Sequence, residues 1–114
     1  MKQELQRKLF DSFPVLYQLQ DAPLTDALMA WGFCCGDGWF DLLWRLSRDL
    51  EEYNRSHPGS PVMATQVKSK FGELCFYIND RDNEKIMDRI TGAETEARQA
   101  GEDGYPDENI NLIK

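Results

Sequence analysis

The stretch VMATQVKSKFGELCFYIN, residues 62–79, decides the fold that we predict for this chain of 114 residues. In its second half Leu74, Phe76 and Ile78 alternate with other side chains, which is the period-2 pattern of a strand with one buried face. The first half shows a similar alternation, and residues 71–73 separate the two halves. A connection this short favours an antiparallel hairpin.

Amphipathic helices are predicted on both sides of the hairpin. Residues 38–54 repeat leucine and aromatic side chains at the i, i+3, i+4, i+7 spacing of a helix buried on one side. Residues 82–100 place isoleucine and alanine on one face, and residues 2–13 show a shorter apolar stripe. This order predicts an α+β fold. A small antiparallel sheet, made of the hairpin with room for one or two more strands, packs against two or three helices.

Residues 15–30 keep several interpretations open. The segment VLYQL, residues 15–19, suits a short strand, and LTDALMAW, residues 24–31, suits either a short helix or an irregular apolar segment. The chain length fits one domain. We predict a single α+β domain over residues 1–100, followed by an acidic C-terminal tail over residues 101–114.

Side chains suited to helix ends stand before two of the helices. Asp37 precedes the helix predicted at 38–54, and Asp80 and Asp82 precede or begin the last one. Their carboxylates are expected to accept hydrogen bonds from the first-turn amides. Charges four residues apart, such as Glu51 and Arg55, are expected to pair on a solvated helix face.

Two adjacent cysteines, Cys34 and Cys35, stand immediately before a Gly-Asp-Gly sequence. We favour a structural interpretation, in which Asp37 caps the helix, the glycines permit a sharp entry and the cysteines fill small buried positions. A thiol-dependent enzyme site near Cys35 and Asp37 is the alternative. A nucleophile needs a positioned base, however, and the only histidine, His57, lies in a predicted turn.

A metal centre would have to use Cys34, Cys35, Cys75 and His57. Structural zinc sites usually space their cysteines two to four residues apart, whereas two of these cysteines are adjacent. An odd number of cysteines also does not make a disulfide framework. We therefore expect reduced thiols, with no metal and no cofactor.

The chain is acidic, with 20 Asp and Glu against 13 Lys and Arg and a formal net charge of −7. Such a charge repels nucleic acid and anionic membranes. Lys68 and Lys70 lie beside aromatic residues but are too few to reverse this expectation. The charged N-terminal segment is unlike a signal peptide, and no apolar run approaches the roughly 20 residues of a membrane span. A soluble cytoplasmic protein is expected.

Three segments together resemble one family. FPVLY (13–17), WGFCCGDGWFDLLWRL (31–46) and QVKSKFGELCFYI (66–78) are similar to the motifs of small uncharacterised bacteriophage and prophage proteins. The resemblance implies a bacterial cytoplasmic setting and no particular activity. Many relatives continue into a Cys-x-x-Cys segment like a zinc ribbon, which residues 100–114 lack. The structural motif residues that carry the match are Cys35, Gly36, Asp37, Gly38, Trp39, Lys70, Phe71 and Gly72.

Our leading hypothesis is a non-catalytic phage or prophage accessory protein that acts by binding a host or phage protein. One version is an acidic inhibitor that imitates nucleic-acid phosphates and occupies the basic groove of a host nucleic-acid-handling or defence protein. Phe40 and Trp44 lie beside the main apolar stripe, so we expect them to form an exposed pair. The candidate partner-binding residues are Phe40, Trp44, Glu102, Asp103, Asp107 and Glu108.

Two other functions are compatible with the sequence. The enzyme alternative places an activity around Cys35, Asp37 and a surface pocket near Trp39. The structural alternative is self-association into a homo-oligomer, in which INLIK, residues 110–114, adds a strand to a neighbouring copy.

Overall fold

The computed structural model describes residues 1–23 and 28–101, and it confirms the predicted α+β fold. Three short 3₁₀ segments lie at Gln18–Asp21, Leu28–Trp31 and Asp37–Trp39. No helix in the described ranges has the length and apolar character needed to span a membrane. The helices and strands are α1 (Gln3–Ser12), β1 (Phe33–Cys34), α2 (Phe40–Ser56), β2 (Ala64–Lys70), β3 (Glu73–Ile78) and α3 (Glu84–Ala100).

The sheet has the strand order β1-β2-β3 and is mixed. β2 and β3 form the predicted antiparallel hairpin, closed by the pair Lys70 and Glu73. β1 pairs in parallel with β2, with Phe33 opposite Val67. The expectation of an antiparallel sheet is therefore correct for the hairpin and wrong for the third strand. The reason is that α2 lies between β1 and β2 in the chain, and such a crossover returns the chain in the parallel direction.

The core lies between the sheet and the helices. Leu74, Phe76 and Ile78 alternate as buried residues along β3, as the period-2 pattern predicts, and they belong to one cluster with the apolar faces of α2 and α3. Trp39 is fully buried in this cluster, and its Nε1 donates a hydrogen bond to the Ala97 carbonyl at 3.2 Å. This bond joins the entry to α2 with the last turn of α3.

Residues 15–23 form a turn and a 3₁₀ segment rather than a strand. They are held on α2 by polar contacts, one of them buried and one partly buried. The Glu51 carboxylate accepts the Leu16 N–H at 2.8 Å and the Val15 N–H at 3.2 Å. The predicted pairing of Glu51 with Arg55 is therefore wrong, because the carboxylate accepts hydrogen bonds from backbone N–H groups that have no helix or strand partner.

Both predictions of helix caps are wrong. At Asp37 the chain is still in a 3₁₀ turn, and its Oδ1 accepts the backbone N–H of Lys2 at 2.7 Å instead of an α2 amide. Asn83 caps α3, because its Oδ1 accepts the Ile86 N–H at 3.2 Å. Asp80 and Asp82 are hydrogen-bonded to one another in the turn before that cap.

β3 is an edge strand of the sheet, since among the described strands only β2 pairs with it. The Phe76 N–H points away from β2 and donates to Glu94 Oε2 of α3 at 3.1 Å. A carboxylate thus takes the place that a neighbouring strand's carbonyl would occupy. Charged side chains at this position protect an edge from pairing with other chains.

Candidate functional site at the hairpin tip

The turn between β2 and β3 has an unusual sequence for its geometry. Phe71 and Gly72 have φ values of 54° and 80°, so both residues of this two-residue loop are left-handed. A type I′ turn requires this conformation and favours Asn-Gly, Asp-Gly or Gly-Gly, since its twist matches that of the strands. Gly72 adopts it without strain. Phe71 does not, because a Cβ in the left-handed region costs about 1–2 kcal/mol.

The Phe71 side chain is also almost fully exposed to solvent. Phe71 is 96% exposed, against 64% for Trp31 and 52% for Leu28, the next most exposed large apolar residues in the described ranges. Full burial of a phenylalanine side chain would contribute about 1.5–3 kcal/mol, and the folded chain obtains none of it. Phe71 is therefore unfavourable to the isolated fold through both its backbone and its side chain.

The surface beside the tip carries two lysines and Glu73. Strand register places Lys68 opposite Cys75 and Lys70 opposite Glu73, on the face of the hairpin that carries Tyr77. Lys68 Nζ lies 5.9 Å from the centroid of the Tyr77 ring, within cation–π range. This surface contrasts with the net charge of −7 on the whole chain.

The expected exposed pair on α2 is half-buried. The Trp44 ring packs edge-on against Phe13 with ring centroids 4.8 Å apart, and Phe40 lies 5.9 Å from Trp44. Both side chains pack against the core. The expectation that they are exposed is wrong, because the chain following α1 covers Trp44. Their role in partner binding stays a prediction.

The structure does not describe residues 102–114, which include the terminal INLIK segment. The acidic candidates for partner binding lie in this range: Glu102, Asp103, Asp107 and Glu108. Of the interval 15–30, residues 24–27 are likewise outside the described ranges.

The motif before α2 holds the N-terminus of the chain. The Met1 amino group donates to the Cys35 carbonyl at 2.6 Å, and Asp37 accepts from Lys2. Gly36 and Gly38 lie on either side of Asp37 in this segment. Trp39 is in the core. The motif thus connects the start of α1 with the start of α2, while the second motif, Lys70-Phe71-Gly72, builds the hairpin turn.

The thiols and the histidine are dispersed. Cys34 is exposed, Cys35 is buried, and none of the three cysteines is in a disulfide. His57 stacks on Tyr53 with ring centroids 4.0 Å apart, and its Nδ1 lies 2.9 Å from the Tyr53 carbonyl oxygen. Over residues 1–23 and 28–101, no group of three His, Cys, Asp or Glu residues has a metal-binding arrangement.

The sequence contains a signal for Phe71 that motif matching alone does not use. The connection predicted at 71–73 is one residue longer than the loop. In a two-residue loop at 71–72, a phenylalanine at the first position departs from the Asn, Asp or Gly that the turn favours. By contrast, nothing in the local pattern marks Trp31 as exposed. Trp31 directly follows the apolar residues 28–30, so the sequence is equally compatible with a buried side chain.

Comparisons with protein-family models, with curated proteins and with solved structures find no match for this chain. The site therefore has to be interpreted from its own geometry.

Proposed function

We propose that this protein is a non-catalytic phage or prophage accessory protein that binds another protein, from the host or the phage, in the bacterial cytoplasm. Phe71 carries the proposal, because it is 96% exposed and has a φ of 54°. Residues kept in strained conformations cluster at functional sites, where the strain serves something other than stability. An aromatic residue that the fold does not use is a natural anchor for a partner.

The hairpin presents the anchor on a rigid support. The six register pairs of β2 and β3 extend up to the turn, so the ring projects from an ordered strand pair rather than from a long loop. Binding then orders few additional residues, and that saving favours affinity. An apolar pocket on the partner would gain about 1.5–3 kcal/mol from burying the ring.

The charges around the anchor favour a partner pocket with an acidic rim. Lys68 and Lys70 lie on the same hairpin, and the nearby Glu73 carboxylate is 3.8 Å from Arg98. Complementary rim charges mainly raise association rates and select among partners.

A capture experiment tests this function. The tagged protein is incubated with nuclease-treated lysate of the bacterial host, and bound proteins are measured by quantitative mass spectrometry. We expect a stoichiometric protein partner with the native chain and its loss with Phe71→Asn, which suits the turn better than the native residue.

Trp31→Asn is the matched control, since Trp31 is the other strongly exposed aromatic residue in the described ranges. It should retain the partner. If Phe71→Asn still captures the partner, or if capture depends on Trp31 instead, the hairpin tip is not the partner-binding surface.

The inhibitor version has a separate test. Residues 102–108 contain four acidic residues and no basic one, a composition suited to a basic groove. Reversing the charges of Glu102, Asp103, Asp107 and Glu108 to lysine should abolish capture if these residues imitate nucleic-acid phosphates. Unchanged capture by the reversed chain would leave the hairpin tip as the contact and exclude the imitation.

A further inference from the structure

A second surface feature, separate from Phe71, is a groove of about 590 Å³ between the hairpin and the 3₁₀ segments. Its volume falls within the range of about 300–1,000 Å³ that is usual for small-molecule sites. Apolar side chains form much of its wall, and a few polar groups converge on it. The residues used in this argument are Leu19, Leu28, Ile78, Gln66, Tyr77 and Arg81.

Arg81 lines this groove and has no salt bridge with any residue of 1–23 or 28–101. The chain has seven arginines, all in the described ranges, and six of them form salt bridges. Arg81 is the exception, although Asp80 and Asp82 are its neighbours in sequence. A guanidinium presents a planar set of donors that matches a carboxylate in a two-point contact.

The surroundings of Tyr77 add to this preference for an anion. Lys68 Nζ lies 5.9 Å from its ring centroid. Tyr77 itself lines the groove beside Arg81, and a hydrogen bond with the Cys75 side chain raises its pKa. Leu28, which is 52% exposed, extends the apolar wall toward the opening of the groove.

We propose that this groove binds a small amphipathic carboxylate, with Arg81 holding the carboxylate and the wall of Leu19, Leu28 and Ile78 receiving its apolar chain. One guanidinium among apolar residues suits a single negative charge better than a multiply charged phosphate. Phe71 does not line the groove. The proposal is therefore independent of the protein-binding function.

Sodium octanoate is the probe that tests it. The titration is followed on the backbone amides of the full chain by two-dimensional NMR, with sodium butyrate as a probe of equal charge and shorter chain. We expect saturable shifts around Tyr77 and Leu28 with octanoate, and binding of butyrate at least tenfold weaker. Absence of saturable shifts, or equal binding of the two acids, would overturn the proposal.

Two exposed arginines provide a matched pair of variants. Arg81→Gln should raise the dissociation constant for octanoate at least fivefold, whereas Arg55→Gln, at an arginine that pairs with Glu52 on α2, should leave it unchanged. Leu28→Ser should weaken octanoate and leave butyrate unaffected. If Arg81→Gln binds octanoate as the native chain does, the groove does not use this guanidinium and the assignment is wrong.

Discussion

At the scale of single residues, buried polar side chains hold the irregular part of the chain. Glu51 is 6% exposed and accepts the N–H groups of Val15 and Leu16. Asn54 does the same for Val62, since its side chain donates to the Val62 carbonyl and accepts the Val62 N–H. Neither role was predictable from helix periodicity, because the partners lie in segments without a regular pattern.

Glu51→Ala leaves two backbone donors without an acceptor. Only the Leu16 bond is buried, whereas Val15 is 39% exposed and water replaces part of its lost bond. A buried donor that loses its partner costs about 1–3 kcal/mol, so we expect the free energy of unfolding in urea to fall by about that amount. Glu51→Gln keeps one amide oxygen as an acceptor and should lose less. Equal stability of Glu51→Ala and the native chain would show that solvent replaces the carboxylate.

Tyr17 gives the fold a specific dependence on alkaline pH. Burial raises the pKa of Tyr17 well above its ordinary value of 10.0, and its hydroxyl is hydrogen-bonded to Ser47. Above that ordinary pKa the unfolded chain releases the proton while the folded chain keeps it, so stability falls as pH rises. The loss reaches up to about 1.4 kcal/mol per pH unit.

Tyr17→Phe removes the hydroxyl that causes this dependence on alkaline pH. The stability advantage of the native chain over Tyr17→Phe should be constant below about pH 10 and should shrink above it, as measured by urea unfolding at successive pH values. The other tyrosines titrate in both chains and cancel in the difference. A difference that stays constant to pH 12 would contradict a buried, protonated Tyr17.

At the scale of elements, Glu94 protects the edge of the sheet. Its carboxylate accepts the Phe76 N–H at 3.1 Å on the open side of β3. In Glu94→Ala we expect faster hydrogen exchange at the Phe76 amide, measured by NMR, and self-association that increases with concentration. Gln99→Ala, at an exposed position of α3, is the control and should change neither. An unchanged exchange rate at Phe76 in Glu94→Ala would show that the edge is protected in another way.

The elements that could be predicted from sequence are those with a long local period. α1, α2 and α3 begin and end within two residues of the predicted ranges, and the hairpin turn lies at the predicted place. β1 could not be found in this way, because it has two residues and its partner Val67 lies far along the chain. The β-bulge between Ala64 and Gln66 likewise interrupts the alternation expected in β2.

At the scale of the whole molecule, two ion pairs join α2 to α3. Arg45 pairs with Glu96 and Arg89 with Asp49, both between α2 and α3. Half-exposed pairs of this kind contribute at most about 1 kcal/mol each. The candidate site likewise depends on long-range packing. The sequence shows Phe71 and its neighbouring lysines, but their exposure depends on how the hairpin packs on the core.

The central claim is that Phe71 is retained for contact with a partner and not for the fold. The most direct test is the free energy of unfolding of Phe71→Asn, measured in urea beside the native chain. We predict that Phe71→Asn is more stable by about 1 kcal/mol, because asparagine adopts the left-handed conformation more readily and removes an exposed ring. A less stable Phe71→Asn chain would show that the phenylalanine supports the fold, and would contradict the claim.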